Sequence, residues 1–303
     1  MINKISNLKL ILGLVLLVLI YLAVVYFDSS KSAPLEKQLV SIDTSKVTQL
    51  IIEAPDEQVK LSKTTDGQWQ IDLPSGKKVT AVTSKVNSVL GQLMDIRTDR
   101  LAAKDEDKWA EYQVDDTGTK LKVQEGDEIT LDMVVGQSGS TTYIRIAGEE
   151  EVYASDDFRG LSTNDNINHY RDNTFVRMET DSIESITFNY PGDSSFQLTN
   201  KQGAWTIDDD TPADSIKTID YFRNLKLKFN DDFAAEDGSS LGTQMAKIEI
   251  KLSNQTPVFI TAFEDPVDSV IYQSSINKEA YFSDTALGKE YFIGKSELMI
   301  SQE

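Results

Sequence analysis

The sequence predicts an α+β protein, an N-terminal transmembrane helix followed by two tandem, duplicated domains, each an antiparallel sheet with a helix. Three observations carry that expectation. Leu10 to Phe27 is an 18-residue run without a charge, built almost wholly from Leu, Ile and Val. Downstream, a set of landmarks recurs at a slowly drifting offset. Between the landmarks apolar residues alternate with period two, and once in each copy they switch to helical spacing.

At about 1.5 Å per residue, the first run makes a helix of roughly 27 Å, enough for a hydrocarbon core of about 30 Å. Tyr26 stands near its distal end, where aromatic belts form. The run exceeds the 7–15 residues usual for a cleaved signal. Ala33, a possible cleavage point, is spoiled by Lys31 before it and Pro34 after it. A retained signal anchor is expected. Lys4 and Lys9 precede it, and Lys31 and Lys37 follow it. A short tail ahead of a large domain then favours the N-terminus inside and residues 28–303 outside the cytoplasm. The expected division is a tail at 1–9, anchor at 10–27, linker at 28–45, first repeat at 46–178 and second repeat at 179–303.

The repeat is read from collinear matches. Val47, Leu50 and Ile52 answer to Ile183, Ile186 and Phe188, an offset of 136. Gly67-Gln68-Trp69-Gln70-Ile71 answers to Gly203-Ala204-Trp205-Thr206-Ile207 at the same offset. Leu101-Ala102-Ala103 matches Phe233-Ala234-Ala235 at 132, and Val152-Tyr153 matches Ala280-Tyr281 at 128. Within the first copy, strands are expected at 47–53, 58–64 and 69–73, with a turn at Asp66-Gly67. Ala81, Val82, Val86, Val89, Leu90 and Leu93 then recur at helical spacing, with Thr80 as cap. Strands follow at 119–124, 128–135, 142–147 and 151–154. The second copy offers a helix through Ile216, Ile219, Phe222 and Leu225, then strands at 246–252, 257–263, 268–274 and 279–283. Residues 157–170 read as a helix or an irregular connector. Neighbouring strands joined by short turns argue for antiparallel pairing.

Composition narrows the chemistry. The chain has 303 residues, 30 basic and 49 acidic side chains, net charge −19, no cysteine and one histidine. Lys4 and Lys9 are the only charges before residue 28, so the body carries 28 basic against 49 acidic groups, net −21. A basic nucleic-acid surface is not expected. Without cysteine there is no disulfide, thiolate zinc site, iron–sulfur cluster, cysteine nucleophile or acylated anchor. Such acidity favours solubility and weak repulsion from anionic headgroups.

The anchor, the Gly-x-Trp strand ends, the helix, and the run Val135-Gly136 … Tyr143-Ile144-Arg145 … Val152-Tyr153 together resemble the bacterial domain-of-unknown-function 4340 (DUF4340) family. Arg171-Asp172-Asn173-Thr174-Phe175 resembles that family's segment between its halves. The resemblance covers nearly all the chain after residue 40. One departure is Glu111-Tyr112-Gln113-Val114, where such proteins often have Tyr-Gly-Leu, which puts the tight turn there in question. The resemblance implies an envelope protein encoded beside ABC-exporter components, including those similar to gliding-motility transporters. It implies a class of partner and no chemistry.

No phosphate-binding glycine loop occurs. Gly136-Gln137-Ser138-Gly139-Ser140 approaches a nucleophile elbow, but lies between strands and reads as a hairpin turn. Ser75-Gly76-Lys77-Lys78 and Ser275-Ile276-Asn277-Lys278 fit Ser-x-x-Lys without companion motifs. His169 sits among Asn164, Asp165, Asn166 and Asn168 and reads as a solvated side chain. Carboxylates cluster at Asp105–Asp107, Asp115-Asp116, Glu149–Glu151, Asp156-Asp157, Asp208–Asp210 and Asp231-Asp232, none with the spacing of a calcium loop. Trp69 and Trp205 read as core anchors. Catalytic, cofactor-binding and metal-binding residues are therefore expected to be none. The sequence points to a non-catalytic, single-pass, anchored extracytoplasmic scaffold in the bacterial cytoplasmic membrane, accessory to an ABC-type transporter. Its expected partners are the bilayer, through Leu10–Phe27, and a transporter or envelope protein, with no nucleic acid. The alternative is a tethered ligand or divalent-cation binder using the acidic loops.

Overall fold

A computed structural model describes residues 39–94, 96–156, 158, 165–208, 211–234, 241–266 and 268–300, together with Leu14, Leu16, Val18 and Tyr21. Those four are helical and exposed. The other residues of the expected anchor, the tail at 1–9 and the linker up to Gln38 lie outside the described residues. Among the described residues no helix is long and apolar enough to cross a membrane. The fold is α+β and dominated by antiparallel sheet.

In the first half the chain forms β1 (Val47–Glu53), β2 (Gln58–Lys63), β3 (Trp69–Asp72), β4 (Lys78–Thr80), α1 (Thr83–Met94) and β5 (Arg100–Ala103). After a 3₁₀ turn at Glu106–Lys108 come β6 (Thr119–Glu125), β7 (Glu128–Ser138), β8 (Thr141–Ile146) and β9 (Val152–Ser155). The chain divides into two compact units. The first holds residues up to Lys63 and Ser84–Asn166, and its strands run β2-β1-β6-β7-β8-β9-β5. The strands stand close to where alternation puts them. One irregularity matters. Val47 and Leu50 are both buried, although three positions apart, because the register of β1 against β6 shifts between Val47 and Gln49. A bulge turns the strand over by one residue, so both side chains reach the core. Helix α1 buries Val86, Val89, Leu90 and Leu93. Thr80 is in β4 and does not cap it: the helix begins three residues later, and Glu279 takes the Thr80 N–H. Val40 and Ile42, placed in the linker by sequence, are buried, and Leu39 N donates to Ile96 O.

The turn in question at Tyr112-Gln113-Val114 is present, with Gln113 at φ 56° in the left-handed region that glycine enters more cheaply. Its carbonyls press on two glycines of the sheet. A Cβ at Gly136 would collide with the Tyr112 and Gln113 oxygens, and one at Gly118 with Gln113 O. Beside this turn Arg145 lies over Trp109 at 3.8 Å and donates through Nε to Val114 O at 2.9 Å.

The second unit comprises Thr64–Thr83 and Ile167–Glu303. It contains the β3–β4 hairpin, α2 (Ile167–Tyr170), β10 (Thr174–Arg177), β11 (Ile183–Asn189), β12 (Phe196–Lys201), β13 (Ala204–Ile207), β14 (Thr211–Pro212) and α3 (Ser215–Lys226). Then follow β15 (Leu227–Phe229), β16 (Gln244–Leu252), β17 (Val258–Asp265), β18 (Ser269–Ser274), β19 (Asn277–Phe282) and α4 (Thr285–Tyr291). Its main sheet runs β14-β13-β12-β11-β16-β17-β18-β19, and β10 pairs with β15. The core is aromatic. Phe188 and Phe196, directly opposed across β11 and β12, stack at 4.3 Å. Phe175 meets Phe282 and Tyr291 edge-on. Tyr221, Tyr291 and Tyr190 each donate their hydroxyl to a carbonyl, of Tyr291, Asn224 and Ile293 respectively. Burial pushes all three phenols above their ordinary range.

Helix α3 departs from expectation. Its N-cap is Asp214, whose Oδ1 accepts from Ile216 N and Lys217 N. It buries Thr218, Tyr221 and Leu225, while Ile216 and Ile219 face outward. Hydropathy favours isoleucine over threonine and tyrosine, but inside this unit the polar atoms of the latter pair are satisfied. Thr218 Oγ1 donates to Asp214 O at 2.8 Å.

Replacing Gly136 with alanine is expected to lower stability by about 2–4 kcal/mol, since backbone must move. At Gly139, with open space but φ 66°, the same change should cost about 1 kcal/mol. Urea midpoints compare the two. Asp208 supplies a pH-dependent term. Lys295 at 2.6 Å, then the Gln197 N–H, lower its pKa below the ordinary 3.8. A depressed folded pKa contributes stability above the unfolded value, lost as pH falls through the folded one. The pair is largely exposed and screened, so Asp208→Asn should flatten the stability profile between pH 4 and 2 by no more than about 1 kcal/mol.

Candidate functional site

The densest set of polar contacts lies in the second unit, around the connection from α2 into β10. Proximity of Tyr170 and Arg171 to β4 sets its frame. Val82 N donates to Tyr170 O at 2.8 Å, and Ala81 and Arg171 form an antiparallel bridge. From that bridge the Arg171 side chain turns inward, where it is only 8% exposed. Its guanidinium lies flat on the Phe233 ring, 3.8 Å from the centroid, and Nη1 donates to Asn168 Oδ1 at 3.1 Å. Burial brings its pKa down to about 10, so it remains a cation at neutral pH.

The next residues fasten outward. Asp172 Oδ1 accepts from Thr174 N at 2.9 Å, closing the turn that starts β10. Its carbonyl accepts from Asn277 Nδ2 at 2.6 Å, reaching β19. Asn173 Nδ2 donates to Asp231 Oδ1 at 2.7 Å, and Asn173 O accepts from Asn230 N. Asn230 in turn donates to Asp284, the residue whose other oxygen caps α4. Phe175 completes the run in the aromatic core. Glu279 Oε2 accepts from Thr80 N at 2.8 Å. Between these groups is a cavity of about 10 Å³, lined by Val79, Thr80, Arg171, Asp172, Asn277, Glu279 and Ala280. That is room for one water and for no substrate.

The other residues weighed from sequence are dispersed. His169 is half-buried on α2, edge-on to Tyr170. Gly136–Ser140 is a hairpin, with Ser138 opposite Thr141 and Gly139 at φ 66°. Lys78 pairs with Asp72 at 3.1 Å, and Ser275 Oγ accepts from Phe259 N, so neither Ser-x-x-Lys match brings its two groups together as a pair. Trp69 is buried, and Trp205 packs edge-on against Phe222.

Several acidic clusters are engaged locally. Asp115 accepts from Thr117, Asp116 pairs with Lys120, Asp156 accepts from Thr141, and Asp208 pairs with Lys295. Asp157, Asp209 and Asp210 lie outside the described residues. Among the described residues no three His, Cys, Asp or Glu side chains converge as a metal site would require. Two open concavities are larger. One of about 590 Å³ is lined by Asp181, Glu184, Ser185, Thr199 and Asn200. Another, of about 640 Å³, lies between α3 and α4, where Asp220 pairs with Arg223 and Glu290 with Lys228.

Sequence reasoning singled out Arg171–Phe175 but not its partners. Phe233, Asn277 and Glu279 follow at separations that no local motif encodes. A family model described as a domain of unknown function, DUF4340, matches residues 69–244, which is 176 of the 303 residues. No curated protein and no solved structure matches the chain.

Arg171→Lys keeps the charge but loses the flat stack and the fork of donors. It is expected to lower unfolding free energy by about 1–3 kcal/mol. In a double-mutant cycle with Phe233→Leu, the coupling should exceed about 0.5 kcal/mol.

Proposed function

We propose, for a chain that belongs to the DUF4340 family, a role as a non-catalytic, single-pass, membrane-anchored extracytoplasmic scaffold accessory to an ABC-type transporter. One observation carries the non-catalytic part. The side chains that converge at Arg171–Phe175 are committed to one another and to backbone groups around a water-sized cavity. A catalytic site keeps its acid, base or nucleophile open to a reactant; here the polar groups act as fasteners. The anchor reading rests on the uncharged run Leu10–Phe27. With the N-terminus inside, it leaves the acidic body beyond the cytoplasmic membrane.

The two units are read as a tandem duplication. The strand runs β2-β1-β6-β7-β8-β9 and β12-β11-β16-β17-β18-β19 correspond one to one. Helices α1 and α3 have twelve residues each and begin 132 positions apart. The bulge after Val47 recurs after Ile183. A duplicated pair of sheet-and-helix modules on a tether suits a binding role, each copy offering faces that the shared fold does not require.

The test uses the full chain in its own membranes. It is expected to stay in the pellet through an alkaline wash and, in mild detergent, to bring down transporter subunits. Release by alkali removes the anchor, and recovery without any transporter or envelope component overturns the scaffold role. A melting temperature that rises in millimolar calcium would replace it with the cation-binding role.

A further inference from the structure

We propose that the outer face of α3 and β15 is a docking surface for an anionic lipid bilayer. This rests on the reading of Leu10–Phe27 as an anchor. The face carries four large apolar side chains in the open: Ile216 at 74% exposure, Ile219 at 54%, Leu227 at 46% and Phe229 at 48%. Helical spacing puts Ile216 and Ile219 on one side of α3, opposite Thr218, Tyr221 and Leu225. Leu227 and Phe229 alternate with Lys228, which turns the other way to pair with Glu290.

The fold does not call for these residues. At the same offset of 132, the buried positions Val86, Val89 and Leu93 of α1 correspond to Thr218, Tyr221 and Leu225. At that offset the sequence of the first unit has Ser84, Asn87, Asp95 and Arg97, and Ser84, Asn87 and Arg97 are exposed. Four polar residues in one copy stand as Ile, Ile, Leu and Phe in the other. Single exposed apolar side chains are ordinary, but four between residues 216 and 229, each against a polar residue at the matching position, mark a contact surface.

Charge selects the occupant. Residues 215–227 carry Lys217, Arg223 and Lys226 against Asp220, a net of +2 in a chain of net −19. Lys228, which turns away, is offset by Glu290. A second copy would bring the same positive face on a strongly acidic body, and the two would repel. Apolar side chains mixed with Lys and Arg instead fit a surface of acyl chains under anionic headgroups. The anchor adds the remaining ingredient. A body tethered to the bilayer meets it at an effective concentration on the order of millimolar, so even a weak contact is occupied.

The chain's lack of cysteine permits a direct test with the full chain. Single-cysteine variants Ile219→Cys, Phe229→Cys and Asn87→Cys are labelled with an environment-sensitive fluorophore. They are reconstituted in vesicles of phosphatidylcholine, with or without an equal part of phosphatidylglycerol, containing nitroxide-bearing lipid as quencher. Quenching at Ile219 and Phe229 should rise about twofold with phosphatidylglycerol and fall again at high salt, while Asn87 stays constant. Vesicles that float with the chain yet leave Ile219 and Phe229 unquenched overturn the lipid contact and keep the anchor. A chain that does not float overturns both. Changes at Ile219 that depend on protein concentration in detergent, or only on a co-purified transporter, overturn it in favour of a protein occupant.

Discussion

The Arg171 guanidinium is taken largely out of water, and the neighbouring structure is arranged around meeting that cost. Among the described residues no carboxylate pairs with it. The charge is met by the Phe233 ring at 3.8 Å and one amide oxygen, Asn168 Oδ1. A desolvated guanidinium on an aromatic face gains roughly 2 kcal/mol, and a hydrogen bond to a charged group about 1.5–3 kcal/mol. Desolvation opposes these gains and pulls the pKa down. Only a planar, weakly hydrated cation satisfies such a place, because stacking needs a face and the residual donors need a fork. The stack ties Arg171 to a residue 62 positions later, while its backbone is bridged to Ala81, 90 positions earlier. Three distant pieces of chain are thereby fixed at one residue.

From that point the polar contacts continue in a connected series. Asp172 holds Asn277, Asn173 holds Asp231 and accepts from Asn230, and Asn230 reaches the capping carboxylate of α4. Tyr221, Tyr291 and Tyr190 follow the same rule, each hydroxyl finding a backbone carbonyl. Interior polar groups that are satisfied this way specify one arrangement, since any slip leaves a donor or acceptor unpaired in a low dielectric. The consequence for function follows directly. Groups held by several fixed partners are poor acids, bases or nucleophiles, and a water-sized cavity admits no substrate beside them.

Much of this fold was legible in the sequence because sheet and helix impose short periods. Strand limits in both units fall within a few residues of those read from alternation, and the Gly139 turn was recognised as a hairpin. The bulge was visible only as an anomaly: Val47 and Leu50 are an odd number apart, so both can be core only if the strand turns over. Helix α3 was misread in register, because isoleucine outranks threonine and tyrosine on any transfer scale. Local bonding to Asp214 and Tyr291 reverses that order inside the protein. The site was legible in part. Arg171–Phe175 stood out as a segment, yet a guanidinium stack on Phe233, or Glu279 closing on Thr80 N across 199 positions, is a property of tertiary placement. The carboxylate clusters lacked calcium-loop spacing in the sequence, and Asp115, Asp116, Asp156 and Asp208 answer to threonines and lysines.

Acidity acquires a direction once the exposed face of α3 is considered with it. A uniformly acidic body tethered to an anionic bilayer would be held away from it on every side, and the tether would do no more than limit its distance. One face of net +2 bearing four apolar side chains changes the balance locally. Repulsion falls off over a Debye length of about 8–10 Å, while apolar burial acts only at contact. On the proposed lipid contact, acidic surface is repelled from the headgroups while α3 and β15 are drawn to them. On this account the −19 charge and the exposed isoleucines work together. On the proposed lipid contact, the first opposes other orientations at a distance, and the second holds this one.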